Sequence, residues 1–316
     1  MSKRKQKNEP ITQHYIPQFY LSRFCRPDGK FSVYDKLQCK HLKNCRPRNF
    51  AAQNHYYNVT EDELREVLAE LTTLHPELTN TIDFTDKTYL EKRFVYYEGA
   101  FSEILRDIDN DVSSLQDECT KNKLAVLMYE LYVRTPSYRN EQNYIHSVTH
   151  EHLANSFAVP CDNSEKCFED YSPKAARIKQ LKNIVSIEAS LKNCLPWLDD
   201  YEWILGINNT DLPFITTDNP THQLVIGIKD FCFPINGSKA IILRKKGVED
   251  NSFSVHDKSI EDDNIIYLTV CGVMIYNILN LVGGYRFIFG DDRAIRIVAN
   301  AHKTTGMDTD DRSRYY

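Results

Sequence analysis

Between residues 60 and 195 the chain is a succession of segments with apolar side chains at helical spacing. Near Trp197 the pattern gives way to short β-branched runs separated by turn residues. That switch constrains the fold more than any single motif. Helical periodicity followed by short strands points to an α+β fold, a helical core packed against a small mixed or antiparallel sheet. Thr60 with Glu63 three residues later has the form of a capping box, so a helix is expected over 60–74. Further helices are expected from about Lys87 to Asp109, Ser113 to Arg134, Ser137 to about Phe157 and Pro173 to about Leu195. Strands are expected over 30–36 and from 201 to 256, then a helix over about 262–281 and a final strand at "YRFIFGD".

One α+β domain is expected over 11–300, its helical part at about 60–195 and its sheet-rich part at about 197–300. The basic head, residues 1–10, reads as a flexible arm, and 301–316 as a flexible tail. Residues 159–173 are the best linker or insertion.

The formal net charge of −5 provides no global basic field for nucleic acid. The longest apolar run, 265–285, is interrupted by Asn277 and Asn280 and fits a buried helix better than a membrane span. Nine cysteines with no export signal suit a reducing, cytoplasmic setting. Cys25, Cys39, His41 and Cys45 lack the paired two-residue gaps of common zinc motifs. His146 and His150 lie one helical turn apart, without the internal glutamate of a metalloprotease motif. No glycine-rich phosphate loop or nucleophile elbow is present.

Three polar constellations remain. In "QHYIPQFYLSRF" His14 stands among aromatic rings, either as a satisfied core histidine or as a held acid, base or ligand. Glu91 and Glu98, seven residues apart, return to nearly one helix face. Glu98 lies in the apolar run "FVYYEGAF" and needs a partner. Arg134 is the natural one, in a structural ion pair or in a site. In "PFITTDNP" Asp218 and Asn219 follow a short strand, as an Asx turn or as a carboxylate presented at a strand end.

These stretches resemble the bacterial domain-of-unknown-function family 4238. Members open with a segment like "HHYVPQFYLRNF", matched here by Gln13 to Phe24, with Gln13 in place of the first histidine and Arg23 in place of the asparagine. The helix of Glu91 and Glu98, the segment ending at Arg134, "FITTDNP", "FPINGSKAIIL" and Asn277 extend the likeness over about residues 11–300. The resemblance implies shared positions and no assigned activity.

The expected function is a metal-dependent nuclease or phosphodiesterase. In it His14 is acid or base, and Glu91, Glu98 and Asp218 hold Mg2+ or Mn2+. Arg134 stabilises phosphate charge, while Gln18 and Asn219 orient phosphate or water. Nucleic acid or a nucleotide is the expected partner, with no membrane. The alternative is a non-catalytic binding or regulatory module with a protein partner, in a conflict or antiviral defence system. His14, Glu98, Arg134 and Asp218 are expected to meet in one cleft.

Overall fold

The computed structural model describes residues 12–80, 82–111, 115–144, 173–221, 230–247 and 264–305. The basic arm, the His146 and His150 pair, residues 159–172 and the end of the tail lie outside them. The fold is α+β, as the change in periodicity predicts.

The helical part begins with α1 (Gln18–Ser22) and α2 (Glu61–Leu74). The capping box at α2 is complete: Thr60 Oγ accepts from the Glu63 N–H and Glu63 Oε2 accepts from the Thr60 N–H. α3 (Tyr89–Asn110) and α4 (Glu118–Val133) follow, the latter capped by Asp117, which accepts from the Thr120 N–H. After α4 the Thr135 hydroxyl accepts from the Tyr138 N–H, Pro136 follows it, and helix resumes over 136–144. α5 (Pro173–Val185) and α6 (Ile187–Asp199) close this part.

Among the described residues, three sheets carry the rest. β1 (Thr12–His14) pairs antiparallel with β4 (Ala52–Asn54). A four-stranded antiparallel sheet runs in the order β3 (Lys40–Cys45), β2 (Phe31–Asp35), β10 (Phe287–Gly290), β6 (Thr216–Thr217). A mixed sheet runs β7 (Asp230–Pro234), β8 (Lys239–Lys245), β5 (Tyr201–Asn208), β9 (Ile265–Leu268), with β5 and β9 parallel.

Two expectations are corrected near the end of the chain. Residues 265–268 form β9 instead of the first turn of a helix, and Thr269 caps α7 (Val270–Gly283) by accepting from the Gly272 N–H. The tail is ordered further than expected. α8 (Asp292–Thr305) runs through residue 301, and His302 is buried with its Nδ1 at 2.9 Å from the Tyr34 hydroxyl. Among the described residues no helix is long and apolar enough to cross a membrane.

The opening motif ties these parts together. Ile16, Tyr20 and Leu21 are fully buried in the larger hydrophobic cluster. The Tyr20 hydroxyl donates to the Pro234 carbonyl at 2.7 Å and accepts from the Thr216 hydroxyl at 2.9 Å, so one phenol joins the two four-stranded sheets. Its ring stacks on Phe233 at 5.5 Å. Tyr20→Phe keeps the stacking and leaves two buried oxygens without this partner. The expected loss is about 1–3 kcal/mol in urea unfolding, and a variant equal to wild type would deny the hydroxyl that role.

Candidate functional site

His14 ends β1, and its neighbour Tyr15 donates its N–H to the Ala51 carbonyl, extending the β1–β4 contact. Gln13 is fully buried: its amide donates to Asn58 and its oxygen accepts from the Tyr57 N–H. This explains why an amide is accommodated at the place of the first histidine. Strand alternation then turns His14 the other way, half-buried.

The two ring nitrogens of His14 differ. Nε2 lies 3.3 Å from the Arg48 carbonyl, which can only accept, so Nε2 carries the proton of the neutral ring. Nδ1 is then an acceptor, with the Gln18 amide at 3.5 Å, a long contact. Burial lowers the His14 pKa below 6.5, against upward pulls from the Arg48 carbonyl and Glu98. The outcome is a neutral imidazole held in one tautomer.

Beneath it lies the ion pair expected from the sequence. Arg134 caps the C-terminus of α4 and is buried; its Nη2 donates to Glu98 Oε1 at 2.8 Å and to the His14 carbonyl at 3.0 Å. The guanidinium lies 3.8 Å over the Phe94 ring, and the Arg134 carbonyl accepts from the Tyr57 hydroxyl. Arg134 thus links α3, α4 and the end of β1. Its described bonds hold the His14 backbone and Glu98.

Glu91 shares the electrostatic field of this pair. Burial raises its pKa above 4.5; Arg134 opposes the rise and Glu98 adds to it. Glu91 Oε2 is buried without a hydrogen-bond partner. Burial thus disfavours the charged forms of both Glu91 and His14, and each also feels the charges of the Arg134–Glu98 pair.

Asp218 takes a different place. It is fully buried, and its two oxygens accept from the backbone N–H groups of Tyr285, Arg286 and Phe287 at 2.8–3.1 Å. These residues lead into β10. Burial pushes the Asp218 pKa up to about 6, although the three N–H groups and the Lys36 charge oppose it. Lys36 is itself buried, donating to the Leu281 and Gly284 carbonyls at the end of α7. Asn277 binds the start of the motif, accepting from the Ile215 N–H and donating to the carbonyl of Pro213 just before it. The "FITTDNP" segment is therefore clamped from two sides.

His14, Gln18, Glu98 and Arg134 are joined by contacts, and Glu91 by its field. None of the hydrogen bonds or ion pairs described joins Asp218 to them. The expected carboxylate trio of Glu91, Glu98 and Asp218 is not assembled, because both Asp218 oxygens face backbone N–H groups. Among the described residues no group of three or more His, Cys, Asp or Glu side chains is placed to hold a metal ion. Asn219 donates to the Ser137 hydroxyl at 3.0 Å instead of reaching toward His14. Sequence reasoning missed the Arg48 carbonyl and the N–H groups of 285–287, since backbone partners leave no mark in residue type.

A family model described as a protein of unknown function, DUF4238, matches residues 12–294. The chain belongs to DUF4238. The match spans both the opening segment and the clamped "FITTDNP" segment of this DUF4238 protein, with the whole His14, Glu98 and Arg134 group between its limits. Comparison with curated proteins and with solved structures gives no match.

Proposed function

We propose that this DUF4238 protein hydrolyses phosphodiester bonds, as a nuclease or phosphodiesterase, by general acid–base catalysis with His14 as base and Glu91 as acid. The observation that carries the reading is the asymmetry of the His14 ring: Nε2 faces the Arg48 carbonyl at 3.3 Å, which favours the proton there, and Nδ1 faces the Gln18 amide at a long 3.5 Å. Burial disfavours the charged form of each group, which moves the imidazole toward the neutral base and the carboxyl toward the protonated acid. In the reaction, a water gives its proton to His14 Nδ1 while its oxygen bonds to phosphorus. The P–O bond to the leaving group breaks, and the leaving oxygen takes the Glu91 proton. The net charge of −5 favours a small nucleotide or a locally held strand over a long duplex. A cytoplasmic setting is part of the proposal, and the cysteines among the described residues are free thiols.

The test is turnover of RNA, DNA and cyclic nucleotides by the purified chain, with chelator, Mg2+ or Mn2+. Absence of turnover in every arm sinks the proposal and leaves a binding or regulatory module. The pH profile assigns the roles. His14 must be unprotonated, so activity rises as pH passes its lowered pKa; Glu91 must be protonated, so activity falls as pH passes its raised pKa. Glu91→Gln is expected to lower kcat about 100-fold and to remove the alkaline limb. An alkaline limb that persists in this variant would assign the acid to another group.

A further inference from the structure

Residues 36–60 carry five Lys and Arg and no Asp or Glu, in a chain whose net charge is −5. Most of those charges stand at the surface in one row. β3 is the edge strand of its sheet, and Lys40 and Lys43 on it are exposed. The chain continues through exposed Arg46 into a short 3-10 helix (Pro47–Asn49), on which Arg48 is exposed too. The Arg48 carbonyl is the group that faces His14 Nε2 at 3.3 Å. The row of cations therefore ends beside the half-buried imidazole.

α8 adds to the row from one side. Asp292, in its first turn, lies 3.1 Å from His41 Nε2, 3.6 Å from Lys43 Nζ and 2.6 Å from Arg296 Nη2. Burial lowers the His41 pKa; Lys43, Arg296 and Lys303 lower it further, and Asp292 opposes them. One carboxylate thus meets three cations, and Lys43 and Arg296 stay more than half exposed. Among the described residues no ion pair engages Lys40, Arg46 or Arg48. Lysines on an edge strand also keep it from pairing with other chains. That role ends with the strand, whereas Arg46 and Arg48 lie beyond Cys45, its last residue.

We infer that this face, from Lys40 to Arg48 with Arg296 beside it, is a track for the sugar–phosphate backbone of a single-stranded nucleic acid. At strand spacing Lys40, Lys43 and Arg46 stand roughly 10 Å apart and span about 20 Å, the length of a few nucleotides. A duplex brings two backbones to a chain of net negative charge and is too stiff to turn into a half-buried site. A single strand follows one row of cations and bends. The inference rests on the hydrolase reading for what happens at His14, and names its substrate as a strand. Binding along the track needs no turnover.

The experiment is an anisotropy titration of the full chain with fluorescein-labelled oligo(U) and oligo(dT) of about 15 nucleotides, between about 50 and 200 mM salt. Unlabelled single strand, duplex DNA and polyglutamate are the competitors. The chain carries His14→Ala in every arm, so that the probe stays whole. The expected result is binding that weakens with salt, with a log–log slope of about −0.7 for each phosphate neutralised. Lys40→Gln, Lys43→Gln and Arg46→Gln together make that slope shallower by about 2 and weaken binding about 10-fold or more at the lower salt. Arg46→Gln alone makes it shallower by about 0.7. The unfolding midpoint stays in place, because an exposed pair such as Lys43 with Asp292 contributes little. Lys174→Gln, Lys179→Gln and Lys182→Gln on α5 remove the same charge from exposed positions elsewhere and leave the slope unchanged. The inference is overturned if neither oligonucleotide binds, if the β3 variants bind as their parent does, or if the α5 variants lose as much. It is also overturned if duplex or polyglutamate competes as well as the unlabelled single strand. Strand binding without turnover by the wild-type chain removes the hydrolase reading and leaves this one standing; turnover of cyclic nucleotides without strand binding does the reverse.

Discussion

Asp218→Ala is expected to destabilise the fold by about 3–5 kcal/mol, among the larger effects a single substitution produces. The side chain accepts from three consecutive residues, Tyr285 to Phe287, just where β10 enters the middle of its sheet. Alanine leaves those N–H groups without their acceptor and leaves Lys36 without the nearby negative charge. The pH dependence carries a further signature. The folded-state pKa of Asp218 is raised from 3.8 to about 6. The native state therefore holds this proton more tightly than the unfolded chain. Its contribution is fully present below about pH 4 and is lost as pH rises through about 6. The gap between wild type and variant should accordingly narrow over that window. Urea unfolding at pH 4.5 and 7 measures both; a gap within about 0.5 kcal/mol of zero, the scatter of ordinary surface substitutions, would show that the clamp carries no net stability.

The second large effect follows from the proposed hydrolysis. His14→Ala is expected to reduce kcat by about 100-fold or more, with a stability loss near 1 kcal/mol from the bond to the Arg48 carbonyl. Imidazole added to the variant should restore part of the rate, because the side chain is half-buried and its removal leaves a space open to solvent. A structural histidine would respond differently: the loss of turnover would follow the loss of folded protein, and imidazole would restore none. Retention of wild-type kcat would remove His14 from the mechanism.

These two residues also show what could be read from residue order alone. The pairing of Glu98 with Arg134 was legible, because a carboxylate in an apolar helical run must find a cation. Thr60 and Glu63 were legible because a capping box needs both side chains at a fixed spacing. Asp218 was identified as a residue of consequence, but its partners are backbone N–H groups some seventy positions away, which no spacing rule reveals. The segment 265–268 was misassigned because "IIYLTVCGVMI" is apolar but for Thr269, and a mostly apolar run does not distinguish a buried strand from a buried helix. α8 was left out because its polar face, with Asp292, Arg293 and Arg296, blended into a charged tail. Its buried face, Ala294, Ile295, Val298 and Ala299, keeps the helical spacing all the same.

The Tyr20 hydroxyl has a consequence for biogenesis. Its two partners, Thr216 and Pro234, are made roughly two hundred residues after it, and β2 acquires its neighbour β10 only when residues 287–290 exist. Such distant pairings fold slowly, since long loops must close before the contacts reward them. At 5–20 residues per second, a ribosome would hold the opening motif exposed for about ten seconds or more before its partners emerge. During that interval Ile16, Tyr20 and Leu21 form an apolar patch on a nascent chain. The segment that seats His14 is then a surface for chaperones before it is part of the core.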